Sequence, residues 1–393
     1  MECTVKLVIP SETKIGEKRV ALTPEAVAKL VKLGLTISVQ AKAGLSATYS
    51  DDAYKAAGAK LFEKTSLDSE LASAQVVATV RPLPTRAIAK LKKDAITLSF
   101  LSPTTNGTEI RALARAGVTA LSFDLVPRIS RAQSMDALTS QALCGGYRAA
   151  LIAAERSTKF FPMLMTAAGT VTPAKVLVLG AGVAGLQAMA TAKRLGGVVS
   201  AYDVRSSSAD EVKSMGATFI TLNLDALEGS GGYAKEMTKE RTKAQQDALK
   251  PYVSEADIVI TTAAVPGKKA PLLITKDMMS EMKPGSVLVD LAAESGGNIQ
   301  GSIAGKDVLV KVPDGSITIV GCKDLPSQIA THSSKLYAQN VVSLLSLFTE
   351  KGKVQPDIED EVVAGSAVVY KGEVRNETAK LTLGLVKPQK GSK

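Results

Sequence analysis

A run of four apolar residues leading into three glycines at fixed spacing constrains this chain more than any other feature. Val176-Leu-Val-Leu179 enters Gly180-Ala-Gly182-Val183-Ala184-Gly185, and an alanine-rich helical stretch continues to Leu195 before Gly196-Gly197 closes it. Strand, glycine turn and helix together are the context in which that spacing has physical meaning. Gly180 permits the tight turn, Gly182 lets the backbone approach a pyrophosphate, and Gly185 lets the helix pack close to the strand. The N–H groups of the helix start, at Val183 and Ala184, would face the phosphates with the positive end of the helix behind them. A second strand, Val198–Tyr202, ends at Asp203, 18 residues past Gly185 (203 − 185), with Val204 and Arg205 following. A carboxylate at that place can accept both ribose hydroxyls of an adenosine and would repel a 2′-phosphate, so NAD is favoured over NADP. Arg205 tempers the preference by offsetting the repulsion. The competing reading is a unit of the same shape that keeps its glycines for packing and holds no nucleotide.

With 393 residues the chain is too long for one ordinary domain. Ahead of the fingerprint, Lys6–Pro10, Thr36–Val39, Val76–Val80, Ile96–Phe100 and Thr119–Phe123 read as short apolar strands. Helices separate them, one starting at Thr23-Pro24-Glu25, one capped by Ser50, and two near 85–93 and 106–116. That alternation means βαβ units and a parallel sheet. It carries no glycine fingerprint, so this half shares the fold without a nucleotide. After the fingerprint, Ala217–Leu222, Ile258–Thr262, Val287–Leu291 and Ile317–Val320 extend a second sheet. The expected fold class is α/β, with two Rossmann-like doubly wound domains and an NAD site in the crevice between them. Residues 1–137 form the first, completed by 321–393 through a long helix near 333–348 and a hairpin over 361–372. Residues 138–320 form the NAD(H)-binding domain.

The formal charge of +10 raises the question of nucleic acid, but the 48 basic residues are scattered with no block of five or six. A soluble basic enzyme is the better reading, with a place near anionic lipid as a minor one. Cys3, Cys144 and Cys322 are too far apart for a disulfide framework or a zinc site, and a reducing cytoplasm fits. No metal is expected. No apolar run approaches the roughly 18 residues of a membrane span, and the start of the chain has no signal-peptide pattern.

Two further passages stand out. Asp124-Leu-Val-Pro-Arg128-Ile-Ser-Arg131-Ala-Gln133-Ser-Met-Asp136 follows a strand end and precedes a long helix at about 138–158. Ligands sit at such strand ends in open α/β sheets. A solvated loop with Asp136 as helix cap is the alternative, and the residues alone leave both open. Glu228–Met237 is rich in glycine and serine around Tyr233, and reads equally as a lid or as a plain surface loop. Most dehydrogenases also move a proton, usually through histidine or lysine. The single histidine, His332, starts a late helix, where a capping or surface role suits it better. Hydride transfer between two nicotinamide rings needs no proton donor, although a lysine could serve an ordinary dehydrogenase.

On these residues the chain resembles the NAD(H)-binding alpha component of the proton-translocating NAD(P) transhydrogenases, nearly end to end. Arg128–Asp136 is the most specific match, similar to that family's loop around the nicotinamide of NAD. The resemblance implies that Arg128, Gln133 and Asp136 orient the ring and its carboxamide, with Gln133 toward the incoming NADP ring. Ile129, Ser130, Arg131, Ser134 and Met135 would complete the loop, and Thr139 stands where a serine is common. Gly229–Glu236 is similar to the family's mobile loop, which places Gly232 and Tyr233 at the cofactor. Gln245 and Thr261-Thr-Ala-Ala264 match positions near the adenosine and the lid. The same resemblance implies a homodimer, NADP(H) as co-substrate on a partner subunit, and a membrane proton-channel subunit. It implies no nucleic acid, and a peripheral seat on the cytoplasmic face of a bacterial inner membrane, or the matrix face of an organelle. Alanine dehydrogenases share the fold and resemble the chain through Arg19-Val-Ala-Leu-Thr-Pro24. Their lysine and histidine toward a keto acid would fall at Arg81 and at Phe100-Leu-Ser102, where neither is present. An amino-acid dehydrogenase and a non-enzymatic NAD sensor remain the alternatives.

Overall fold

A computed structural model describes residues 5–222, 224, 238–264 and 267–387. The chain divides into two compact units, Met1–Gln141 with Pro326–Lys393, and Ala142–Leu325. The sequence reading puts the crossing points at 137/138 and 320/321, whereas the contacts divide the chain a few residues later at each.

The first unit is built on an eight-stranded sheet. Its order is Glu373–Val374, Ala367–Tyr370, Thr119–Ser122, Ile96–Ser99, Val76–Ala78, Lys6–Ile9, Thr36–Gln40 and Lys60–Phe62. The six strands from Thr119–Ser122 to Lys60–Phe62 are parallel, and Ala367–Tyr370 joins them antiparallel with a register shift. Parallel strands covered on both faces read as continuous apolar runs rather than alternating ones. Here Leu7 and Ile9 enter one core and Val8 the other, just as Val76 and Ala78 part from Val77. The helix Pro24–Lys32 starts where Thr23 accepts the Ala26 N–H, with proline at its first position. Tyr337, on the helix Ala330–Leu347, is fully buried. Its ring lies 5.4 Å from Phe100 and 5.2 Å from Phe123, and its hydroxyl donates to the Thr79 carbonyl.

Three elements depart from the sequence reading. The tail over 361–372 is not a hairpin throughout, because Glu361–Ser366 is a helix. Its Val-Val pair suggests a strand, but the Asp360 carboxylate accepts the N–H groups of Val362 and Val363 and starts a helical turn. Only Ala367–Tyr370 and Glu373–Val374 form the hairpin. The stretch near 85–93 holds a helix only over Thr85–Ile88. Lys60–Phe62, a three-residue edge strand, was too short to leave a pattern.

In the second unit seven strands run Thr218–Phe219, Val198–Tyr202, Lys175–Leu179, Ile258–Thr261, Val287–Asp290, Gly315–Gly321 and Asp307–Val312. All are parallel except the last, which pairs antiparallel with its neighbour. The chain moves outward one way from Lys175–Leu179 to Val198–Tyr202 and returns to its other side with Ile258–Thr261. The fingerprint strand is therefore the topological switch point, the place where an open α/β sheet binds ligands. Val176 and Val178 enter one core and Leu177 and Leu179 the other. Two hairpin pieces escape the sequence reading: Asp307–Val312 at the sheet edge, and the small pair Leu164–Thr166 and Gly169–Val171. Among the described residues no helix is long and apolar enough to cross a membrane.

The long helix Ala137–Arg156 contains Gly145-Gly146. A Cβ on Gly146 would lie 2.0 Å from the Ala184 carbonyl oxygen, so this helix packs backbone to backbone on the start of the fingerprint helix. A Cβ on Gly145 would meet nothing within 4 Å. Gly146→Ala is expected to destabilise the chain by about 1–3 kcal/mol. Gly145→Ala should be neutral or stabilising by up to about 1 kcal/mol. Urea unfolding of the two variants side by side checks both signs.

Candidate functional site

The glycine turn of the second unit separates the jobs of its three glycines. Gly180 has φ +105°, a conformation that favours glycine, and a Cβ there would sit 2.6 Å from the Thr262 hydroxyl. A Cβ on Gly185 would fall 1.9 Å from the Gly180 carbonyl oxygen. Packing within the chain therefore accounts for both. Gly182 is different: its φ is −77°, which any residue adopts, and a Cβ there would meet nothing within 4 Å. Gly182 also stands immediately before the helix Val183–Arg194, with no side chain capping that helix start. The first-turn N–H groups at Val183 and Ala184 belong to the set a helix cannot satisfy internally, which is the physical basis of an anion site.

Asp203, at the end of Val198–Tyr202, faces that turn from the neighbouring strand. One carboxylate oxygen accepts the Ala181 N–H at 2.7 Å. The other accepts the Arg205 N–H and Nε, both at 2.9 Å, and the second Arg205 nitrogen lies 3.1 Å from the first oxygen. Both oxygens of this carboxylate are thus engaged within the chain, while Val204 is partly buried beside it. Gln245 is buried within the helix Lys239–Glu255 and hydrogen-bonds the Tyr202 side chain, whose hydroxyl burial pushes above the usual phenol range. Ala264 is exposed just beyond the strand Ile258–Thr261. Gly232 and Tyr233 lie outside the described residues.

The Arg128–Asp136 passage belongs to the first unit and is a short turn of helix over Ser130–Met135, anchored by buried Ala132 and Met135. The Asn340 amide donates to the Ser134 carbonyl and holds the turn from the helix Ala330–Leu347. Around these anchors, Arg128, Ser130, Gln133 and Ser134 are exposed and Ile129 is half-buried. Arg131 makes two bonds to Asp360, at 2.9 and 3.0 Å. Asp136 accepts the Thr139 N–H at 2.9 Å and its hydroxyl at 2.7 Å, so it caps the long helix. Arg131 and Asp136 therefore have structural partners; Arg128 is exposed at the start of the turn and Gln133 within it.

The loop between the strand Lys6–Ile9 and the helix Pro24–Lys32 holds a charged cluster. Glu17, whose side chain is wholly buried, accepts two bonds from the Arg19 guanidinium, one from Arg81 and one from the Ser327 hydroxyl. Arg19 reaches on to Gln141. Burial opposes ionisation of Glu17, but the arginines and Ser327 outweigh it and hold the carboxyl down at about 2. Glu12 accepts the N–H groups of Val80 and Arg81. Burial dominates there, the charge of Glu17 adds to it, and the carboxyl is pushed up to about 7. At Phe100-Leu-Ser102 the Ser102 N–H and hydroxyl turn to Asp124. The available signal was Glu12, Glu17 and Arg19 placed ahead of an apolar run, which composition alone cannot tell from a solvated loop.

Two doubly wound units, one bearing a dinucleotide fingerprint at its switch point, define a two-domain α/β oxidoreductase architecture. Family models agree with it: "Alanine dehydrogenase/PNT, N-terminal domain" matches residues 8–144 and "Alanine dehydrogenase/PNT, C-terminal domain" matches 149–377. An NAD(P) transhydrogenase alpha-subunit protein of Rhodospirillum rubrum is 45% identical over 380 residues, 94% of this chain and 97% of that protein. The alanine dehydrogenase of Bacillus subtilis is 30% identical over 297 residues, 74% of this chain and 71% of its own length. A crystal structure of transhydrogenase from Sinorhizobium meliloti superimposes with a TM-score of 0.82 at 40% identity, covering 95% of this chain and 99% of that one. The chain belongs to the NAD(P) transhydrogenase alpha-subunit family, a family of oxidoreductases.

The two carboxyls make opposite pH demands. Glu17, held low, contributes stability that is present above its ordinary value near 4.5 and is lost as pH falls toward 2. Glu12, held high, keeps a proton that the unfolded chain releases, so stability falls as pH rises from about 4.5 through 7. Glu12→Gln is expected to flatten the urea midpoint between about pH 5 and 8. An unchanged slope in that window would assign the titration to another group.

Proposed function

We propose that this chain is the NAD(H)-binding component of a proton-translocating transhydrogenase, and that it positions NADH for direct hydride transfer to NADP+ held by a partner subunit. The observation that carries the proposal is Gly182. Neither its backbone angles nor the chain's own packing calls for a glycine, so the close approach it allows is to something outside the chain. In this reading the N–H groups of Val183 and Ala184 hold the pyrophosphate, and Asp203 takes the adenosine ribose in competition with Arg205. Gln245 supports the adenosine side from beneath Tyr202, and Ala264 borders it. Arg128, Gln133 and Asp136 orient the nicotinamide, with Ile129, Ser130, Arg131, Ser134, Met135 and Thr139 shaping the turn that presents them. Gly232 and Tyr233 belong to the lid in this proposal.

When bound, the dinucleotide supplies the hydride at its nicotinamide C4. The protein's part is geometric. Two rings held at near-attack distance with water excluded exchange a hydride without any acid or base, so holding the ring still is most of the catalysis. The partners in this proposal are an NADP-binding subunit and a membrane subunit that couples the reaction to proton flow. The chain would sit peripherally on the cytoplasmic side of that membrane. A second copy of the chain completes it. The small hairpin favours a homodimer, since Met163, Met165 and Val171 are exposed on and beside it.

Hydride exchange followed by absorbance tests the proposal. The chain is mixed with NADH, an oxidised NAD analogue and NADP(H), with and without a recombinant NADP-binding transhydrogenase subunit. Exchange is expected only with both proteins present. Alanine-dependent NADH formation by the chain alone would instead make it a dehydrogenase, and NADH binding with no exchange under any pairing would make it a sensor. Gln133→Asn shortens the side chain at the ring and is expected to slow transfer by on the order of 100-fold, with NADH affinity within a few-fold. Loss of binding without loss of turnover per bound NADH would remove Gln133 from that role.

A further inference from the structure

Thr261, the last residue of the strand Ile258–Thr261, and Thr262, just beyond it, turn their hydroxyls opposite ways. Thr261 is fully buried and donates to the Asp290 carboxylate at 3.2 Å. Thr262 donates to the Gly180 carbonyl at 3.1 Å, with the Leu179 carbonyl farther off at 3.4 Å. The Gly180 carbonyl belongs to the same peptide unit as the Ala181 N–H, and that N–H donates to Asp203 at 2.7 Å. The first peptide of the glycine turn is therefore gripped at both ends, its oxygen by Thr262 and its N–H by Asp203.

Thr262 itself is held firmly. Its own N–H donates to the Leu179 carbonyl at 2.9 Å. The next residue is tied by Asn298, whose amide donates to the carbonyls of Ala263 and Pro271, each at 2.8 Å. Asn298 is fully buried, and its backbone N–H is received by Asp290, the carboxylate that also receives Thr261. Asp290 and Asn298 thus fasten the threonine pair from below, and Thr262 passes that fixed position to the turn.

We infer that Thr262 is a positioning residue for the pyrophosphate of a bound dinucleotide. With that donor removed the peptide is held only at its N–H, by Asp203, and a tilt about that hold swings a negative oxygen toward the phosphates. The Thr262 hydroxyl occupies that oxygen and holds it against Gly185, where the separation leaves no room for a side chain. The nearby helix N–H groups then keep one orientation before the ligand arrives, and binding does not have to order them. The inference rests on the reading of this unit as a dinucleotide site.

Its signature is selective by ligand. Thr262→Val keeps the shape and removes the donor. NADH and ADP, which carry the pyrophosphate, are expected to bind about three- to tenfold more weakly, the worth of one hydrogen bond. Adenosine, competed against NADH fluorescence, is expected to change by less than about twofold, because it lacks the phosphates. Thr262→Ser keeps the hydroxyl and should restore ADP binding. Thr262→Ala carries the same expectation as the valine and serves if the valine methyl against the Gly180 oxygen prevents folding. Equal weakening of all three ligands, or a lowered melting temperature with all three affinities unchanged, would make Thr262 a packing residue and overturn the inference. A wild-type chain that binds neither NADH nor ADP would overturn the underlying site instead.

Discussion

The contact between Gly185 and the Gly180 carbonyl sets how the fingerprint helix of the second unit lies on its strand. A Cβ at 185 would stand 1.9 Å from that oxygen, so the helix Val183–Arg194 can lie on its strand only because glycine is there. From this approach follow the position of the helix start, the direction of its unsatisfied N–H groups, and the edge against which Thr262 and Asp203 meet the turn. The helix Ala137–Arg156 depends on it too, since Gly146 packs on the Ala184 carbonyl at the same helix start. Small residues there let backbones touch, and each such contact fixes orientation more tightly than a layer of side chains would.

The first unit is organised by charge as well as by its apolar sheet. Glu17 between Arg19 and Arg81 is a buried ion cluster, costly to desolvate and retained because every oxygen finds a donor. It joins the loop before the first helix to the strand end at Arg81 and to Ser327, which returns from the far end of the chain. At Arg81 a guanidinium serves the Glu17 carboxylate, and near Ser102 the polar groups serve Asp124.

Much of this was legible in the sequence. The apolar runs identified nearly all the parallel strands because strands buried on both faces leave unbroken hydrophobic stretches. The glycine spacing located the switch point, and Thr23-Pro24 and Ser50 marked helix starts. Most of the failures share one cause, the six-residue edge strand Asp307–Val312 being the exception. The strand Lys60–Phe62, the hairpin Leu164–Val171 and the helix Glu361–Ser366 are short, and their identity comes from neighbours rather than from periodicity. At the Arg128–Asp136 turn the sequence offered a ligand loop and a helix cap as alternatives. The structure uses Asp136 as the cap and leaves Arg128 and Gln133 exposed, so one stretch contains residues of both kinds.

By itself the sequence determined the α/β class, the two-domain division and the place of the dinucleotide fingerprint, because backbone freedom and apolar periodicity act locally and are written in order along the chain. Only the tertiary structure decided which glycine is required by packing and which is left open, and which threonine of an adjacent pair turns to the glycine turn. It also decided that Glu12 and Glu17, five residues apart, are pushed in opposite directions from the ordinary carboxyl range. Those outcomes depend on atoms brought together from distant parts of the chain, where burial and the nearest donor, rather than residue type, set what a group can do.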